Sequence, residues 1–263
     1  MFWKRKSKAV AQTRSSFAIP DGQRVYAIGD IHGRDDLFAE LIESIRADAA
    51  ARPVEQVTLI LLGDLVDRGP QSAEVVERAI GLHREFPDVR LLIGNHEECF
   101  LAALTGDVRR LRYFMRIGGE ATVQSYWNSH VNLLEASFEE VAEILPGLVP
   151  ASHVQFLGAG EDVIEIGDYA FVHAGIRPGV PLEKQVLSDL RWIREDFLED
   201  DRDHGVMVVH GHTIRENVDE WPNRIGIDTG AYRSGVLTAI VLEGTERRYL
   251  RTDPPGDEFA PTG

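Results

Sequence analysis

The stretch "RVYAIGD", Arg24–Asp30, is an almost continuous apolar run that closes on Gly29 and a carboxylate. A short run of this kind reads as a strand buried on both faces, and the pattern returns in "VTLILLGD" (57–64) and "VRLLIGN" (89–95). Between the runs lie "DDLFAELIESIRADAA" and "QSAEVVERAIGLHREF". In them Leu37, Leu41 and Ile45, and then Val75, Ala79 and Leu82, recur at helical spacing. The order strand, helix, strand, helix, strand predicts an α/β fold. The closing residues Asp30, Asp64 and Asn95 stand 34 and 31 positions apart, each interval about one βαβ unit. Right-handed crossovers make such strands parallel, so all three residues are expected at one sheet edge, where open α/β sheets place their ligands.

The rest of the chain falls around this unit. From Glu98 to about Pro150 the pattern is helical, in "FLAALTGDVRRLRYFMRIGGEATVQSYWNS" and "FEEVAEIL", and reads as an insertion or lid over the sheet edge. A second strand-rich part follows in "DVIEIGD", "YAFVHAG", "VMVVHGHT", "RIGIDTG" and "VLTAIVLE". The division expected is a basic disordered tail over 1–20, one catalytic domain over 21–252 with the helical insertion at 98–150, and a disordered tail over 253–263.

Composition narrows the function class. The 263 residues carry a net charge of −15, and removing Lys4, Arg5, Lys6, Lys8 and Arg14 of the tail leaves −20 on the rest. That balance argues against a nucleic-acid-binding surface, so a polyanionic substrate must be drawn by something local, such as bound cations. No stretch approaches the roughly 20 apolar residues of a membrane span. The single cysteine, Cys99, fits a reducing, cytoplasmic setting.

Nearly all polar residues that follow apolar strands lie in five motifs: "GDIHG" (29–33), "GDLVDRG" (63–69), "GNHE" (94–97), "HAG" (173–175) and "HGHT" (210–213). Asp30 or Asp64 alone reads as a helix cap, and His173 alone as a bonded core histidine. Gathered on one edge, these carboxylates, imidazoles and an amide form an oxygen and nitrogen donor set without thiolate, suited to manganese, iron or zinc. Packed together they repel one another unless cations neutralise them. Two divalent ions about 3.5–4 Å apart supply that compensation, with Asp64, the middle residue, as the natural bridge. His210 and His212 lie two apart on a strand and face the same side, so spacing does not choose between them. A helical zinc-protease signature fails, because the fourth residue after His96 is Phe100.

In order and spacing the five motifs resemble the phosphoprotein phosphatase family of metallophosphoesterases, over roughly Arg24 to Leu242. "LRWIREDF" and "IDTGAY" resemble its bacterial and phage-type branch, close to the symmetrical dinucleoside tetraphosphate hydrolases. The resemblance implies the calcineurin-like fold, β-sandwich-type sheets flanked by helices. It implies two divalent metals, manganese first with iron or zinc as alternatives. Asp30, His32 and Asp64 would hold the first ion, and Asp64, Asn95, His173 and His212 the second, leaving His210 as wall. His96 would protonate the leaving group, oriented by Asp67. Arg68 and Arg194 would clamp phosphate, with Arg191 a weaker candidate, and Tyr232 would line the site. Glu97 would support the motif, and Gly118 and Gly119 would approach the substrate.

The activity expected is hydrolysis of phosphomonoesters by direct attack of a metal-bridging hydroxide. The first substrate reading is phosphoserine or phosphothreonine in proteins, to which "GNHE" leans because the dinucleotide hydrolases more often look like "GNHD". The alternative is symmetrical hydrolysis of dinucleoside tetraphosphates, and the remote one a noncatalytic phosphate-binding protein. The partner expected is thus a phosphorylated protein or a small phosphate compound.

Overall fold

The computed structural model describes residues 16–252. The expected tails over 1–15 and 253–263 lie outside the described residues. Residues 16–20, read from sequence as part of the tail, pack instead. Phe17 and Ile19 are buried, Ala18 N donates to Asp168 Oδ2 at 3.1 Å and Ile19 N to the Gly244 carbonyl at 2.8 Å.

Two five-stranded sheets form the centre. The first runs β10-β9-β1-β2-β3, from β1 (Gln23–Ile28), β2 (Gln56–Leu61), β3 (Asp88–Leu91), β9 (Thr238–Glu243) and β10 (Glu246–Arg251). The second runs β4-β5-β6-β8-β7, from β4 (Ile164–Ile166), β5 (Tyr169–Phe171), β6 (Met207–His210), β7 (Asp219–Glu220) and β8 (Arg224–Gly226). As the apolar runs predict, β1, β2 and β3 are parallel, with Ile28 opposite Leu61 and Leu61 opposite Leu91. In the second sheet β5, β6 and β8 are parallel as well.

The two-residue period of the strands assigns their side chains to two cores. Val25, Ala27, Ile60 and Leu62 face the second sheet and pack with Tyr169, Phe171, Val209 and Ile225. Tyr26, Ile28, Leu59 and Leu61 point the other way, onto α1 (Asp35–Ala51) and α2 (Ser72–Gly81), through Phe38, Leu41, Ile45, Val75 and Val76. The outer face of the second sheet is covered by α8 (Leu187–Trp192) and α9 (Glu195–Leu198), where Val172, Ala174 and Val208 meet Leu190, Ile193 and Phe197. The layers therefore run helix, sheet, sheet, helix. Among the described residues no helix is long and apolar enough to cross a membrane.

The segment after β3 is helical: α3 (Asn95–Ala103), α4 (Val108–Phe114), α5 (Glu120–Tyr126), α6 (Phe138–Leu148) and α7 (Ala151–Gly158). Asp107 caps α4 at Arg109 N, 2.8 Å, and Ser137 with Glu140 forms a capping box on α6. Phe100 stacks on Phe114 and Tyr126 at 5.3 and 5.7 Å between ring centres. These apolar faces join the core beneath the first sheet, which draws the insertion alongside the sheet instead of across its edge. α10 (Ala231–Ser234) follows β8.

Candidate active site

The six candidate ligands all follow strand carboxyl ends: Asp30 and His32 after β1, Asp64 after β2, Asn95 after β3, His173 after β5 and His212 after β6. All six are buried. Four of them, together with His96, form two clusters, His32–Asp64–His96 and Asp64–His173–His212, with the ligand atoms of each within 4.8 Å of one another. Asp64 belongs to both.

The backbone is bent to make this possible. Among the described residues the non-glycine positions with positive φ are His32, Asp64, Asp67, Arg68 and His212, at φ 47–74°. Left-handed backbone costs these residues free energy, and here that strain is confined to candidate site positions. Two glycines admit close approach: a Cβ at Gly94 would lie 2.1 Å from Asp64 Oδ1. At Gly211 it would lie 2.0 Å from Asp30 Oδ1.

His32 and His173 each present one ring nitrogen to the cluster because the other is engaged. His32 Nδ1 donates to the Val66 carbonyl and His173 Nδ1 to the Leu62 carbonyl, both at 2.8 Å. That leaves His32 Nε2 buried without a hydrogen-bond partner, as is His212 Nε2. His173 Nε2 lies 3.1 Å from Asn95 Oδ1 and 3.4 Å from Asp64 Oδ1. Histidine ligands of metals are held in this way, the second nitrogen bonded to a carbonyl. Burial pushes Asp64 up, and burial with the Asp228 and Asp64 charges pushes Asp30 well up. It pushes His173 down to about 4 and His212 to about 2. A donor set so penalised in isolation fits divalent cations, which would stabilise the carboxylates and bind the neutral imidazoles.

Two placements differ from expectation. Asp30 is not in the first three-residue cluster, because its carboxylate turns to accept from His212 N at 3.0–3.1 Å. His96 takes that place, 3.9 Å from Asp64 Oδ2. Its Nδ1 donates to Asp67 Oδ2 at 2.5 Å, while Arg68 Nη2 lies 3.0 Å from its Nε2. Burial pushes Asp67 up to about 8 and His96 down. The His96 Nε2 lone pair faces the Arg68 guanidinium. Thr122 anchors Asp67 from α5, accepting from Asp67 N at 2.8 Å and donating to Asp67 Oδ1 at 2.7 Å.

His212, not His210, has its ring in the cluster. His210 packs on Phe197 at 5.2 Å, and its Nδ1 lies 3.0 Å from the Gly211 carbonyl. Tyr232 sits edge-on to His32 at 5.6 Å and beneath the Arg68 guanidinium at 4.9 Å. Arg194 is exposed and lines the same cavity as Arg68, His212 and Tyr232. Arg191 does not, being held by Asp162 at 2.7 Å and Glu98 at 3.3 Å. Asp196, two positions after Arg194, pairs with Arg177 instead. In place of a lid, residues 98–150 reach the site from behind. The Gly118 carbonyl accepts from Arg68 N at 3.0 Å, and none of the cavity-lining residues belongs to this segment. Gly119 packs against Phe114.

Sequence reading undervalued Glu97 and missed Asp228. The Glu97 carboxylate is fully buried and accepts from Asp64 N (2.7 Å), Gly94 N (2.9 Å), Leu65 N (2.7 Å) and Val66 N (3.3 Å). It ties the loops after β2 and β3 together. Asp228 lies beside Asp30, its Oδ1 accepting from Gly230 N at 2.9 Å. Its signal was "IDTG", a carboxylate closing an apolar strand like those of the first sheet.

A family model, "Calcineurin-like phosphoesterase", matches residues 23–235. The chain belongs to that family. Similar to this phosphoesterase are the symmetrical bis(5'-nucleosyl)-tetraphosphatases of Acidovorax ebreus (strain TPSY), 36% identical, and of Acidovorax sp. (strain JS42), 35% identical. Each match runs over 154 residues, 59% of this chain and 44% of the relative, so the chain spans less than half the length of these curated relatives. Among solved structures, a candidate diadenosine tetraphosphatase superposes with a TM-score of 0.60 at 22% identity, covering 88% of this chain and 94% of the other.

These relatives overturn the phosphoserine and phosphothreonine reading. That reading leaned on the Glu of "GNHE", and Glu97 spends both oxygens on backbone N–H groups. Its length therefore carries no information about the substrate. What stands is membership of the calcineurin-like phosphoesterase family, with Asp and His clusters able to hold metal.

Proposed function

We propose that the chain hydrolyses dinucleoside tetraphosphates at the central anhydride, converting diadenosine tetraphosphate and water to two ADP. The names of the similar relatives support this. The observation that carries it is the shape of the site. A cavity of about 880 Å³ leads from Arg68, His212 and Tyr232 past Arg194 to Arg215 and Trp221. A phosphate alone needs a small fraction of that space, whereas pockets of 300–1,000 Å³ suit drug-sized ligands.

Asp30, His32 and Asp64 would hold one divalent ion, and Asp64, Asn95, His173 and His212 the other. Manganese suits the oxygen and nitrogen set, with iron and zinc as alternatives. When bound, such a pair lowers the pKa of water from about 15.7 towards 7, making it a nucleophile at neutral pH. The side chains do the rest. Arg68 and Arg194 bind the phosphate oxygens, each charged hydrogen bond contributing about 1.5–3 kcal/mol. A phosphate that draws Arg68 to itself frees His96 Nε2, now 3.0 Å from that guanidinium. His96, held through Nδ1 by Asp67, then takes up a solvent proton on the freed Nε2 and passes it to the departing bridging oxygen. The oxygen of water ends on one inner phosphorus, and the bridging oxygen leaves with the other half as ADP.

Chromatography of diadenosine tetraphosphate incubated with the manganese-loaded chain should give ADP alone, at two per substrate. Hydrolysis of para-nitrophenyl phosphate without turnover of the dinucleotide would refute the reading.

A further inference from the structure

The far end of the cavity carries an aromatic shelf. Trp221 stands at the tip of the β7–β8 hairpin, closed by Trp221 N donating to the Arg224 carbonyl at 2.8 Å. Its ring is fixed from two sides. The indole Nε1 donates to Asp219 Oδ1 at 2.8 Å, and the Arg224 guanidinium lies 5.1 Å from the ring centre. Arg224 is itself buried and bonded to Asp219 Oδ2 at 2.8 Å and the Leu198 carbonyl at 3.2 Å. Yet 47% of Trp221 remains exposed, and it lines the cavity that begins at the metal cluster. A rigid indole backed by a cation and open towards a phosphate site is a stacking platform.

The chain that connects cluster and shelf is also suited to a polyphosphate. After His212 come Thr213, Ile214 and Arg215, all lining the cavity. The Thr213 hydroxyl is buried without a hydrogen-bond partner among the described residues. Arg215 makes only a loose pair with Asp219, at 3.7 Å, and is half exposed. The segment thus offers a hydroxyl next to the ligands, then an apolar side chain, then a cation, and ends at the indole.

The geometry points to Trp221 as the platform for one purine base of the dinucleotide, with Thr213 and Arg215 engaging the phosphates between base and cluster. This rests on the tetraphosphate reading above and adds to it a ruler. With one base seated on Trp221, the number of phosphates between shelf and cluster fixes which anhydride meets the attacking water. Trp221 acts on specificity and touches no reacting atom.

The test compares the wild type with Trp221→Ala and Trp221→Phe on diadenosine tetraphosphate and para-nitrophenyl phosphate. Loss of one base–aromatic stack should lower the ratio of kcat/KM for the dinucleotide over the aryl phosphate roughly tenfold or more in Trp221→Ala. The change should lie mainly in KM, and ATP and AMP should appear beside ADP. Trp221→Phe should recover most of the ratio. Should Trp221→Ala fail to fold, ADP titrated into the wild type should quench tryptophan fluorescence, and that quench should vanish in Trp221→Phe. An unchanged ratio with ADP as sole product, or a quench that survives in Trp221→Phe, would overturn the shelf and leave the tetraphosphate reading intact. A wild type inactive on the dinucleotide but active on the aryl phosphate would overturn the reading beneath it.

Discussion

Glu97→Gln isolates a group that holds the site together without touching substrate. Glu97 Oε2 accepts from Asp64 N and Gly94 N, and Oε1 from Leu65 N and Val66 N, at 2.7–3.3 Å. A carboxamide of the same shape replaces one oxygen by NH2, so two buried backbone donors lose their acceptor and face another donor. An orphaned buried donor costs about 1–3 kcal/mol, and two at the middle of that range cost about 4 kcal/mol. For a domain of this size, roughly 2–4 °C of Tm per kcal/mol gives a fall of about 8–16 °C. Asp64, with φ 51°, would lose the tether that keeps its strained backbone in place, and metal affinity should fall with it. Thermal unfolding in the presence of a chelator reads the first effect, and manganese titration calorimetry the second. A Tm within about 2 °C of wild type together with unaltered manganese affinity would refute the reasoning.

Two further outcomes are expected. His96→Asn should lose far more kcat on alkyl than on para-nitrophenyl phosphate, up to the ~10²–10⁴-fold of general acid catalysis, because nitrophenolate departs with little help; equal losses would contradict the proton-donor role. Asp48, which accepts from Arg248 at 2.6 and 3.1 Å and from the Tyr26 hydroxyl at 2.7 Å, is held below the usual carboxylate range chiefly by Arg248. Its contribution is present above the unfolded pKa near 3.9 and is lost as pH falls through the lowered folded value. The gap in urea midpoint between wild type and Asp48→Asn should therefore be full at pH 6 and close at lower pH; a gap that does not narrow would exclude the ion pair as its source.

The first sheet was legible because its strands are buried on both faces and so read as unbroken apolar runs ending in a ligand. β10 was not. "ERRYLR" is an edge strand whose charged residues face solvent or reach partners such as Asp48 and Tyr169, so no apolar run marks it. The five motifs located the candidate ligands, since polar residues after buried strands need partners. The path of the helical insertion was hidden, because helical periodicity gives the apolar face but not the surface that face covers. Glu97 was underrated for a related reason: its partners are backbone N–H groups of a distant loop, which no side-chain pattern records. Trp221 escaped notice because a lone aromatic in a polar turn has no periodicity to stand out from.

Six side chains gathered from the ends of five strands are proposed to cage two cations, and the most direct measurement is metal content against activity. Chelator-stripped chain titrated with manganese, with elemental analysis at each step, should become fully active at two equivalents per chain, and His212→Ala should retain fewer. Full activity with less than one equivalent, or activity that survives complete stripping, would contradict it.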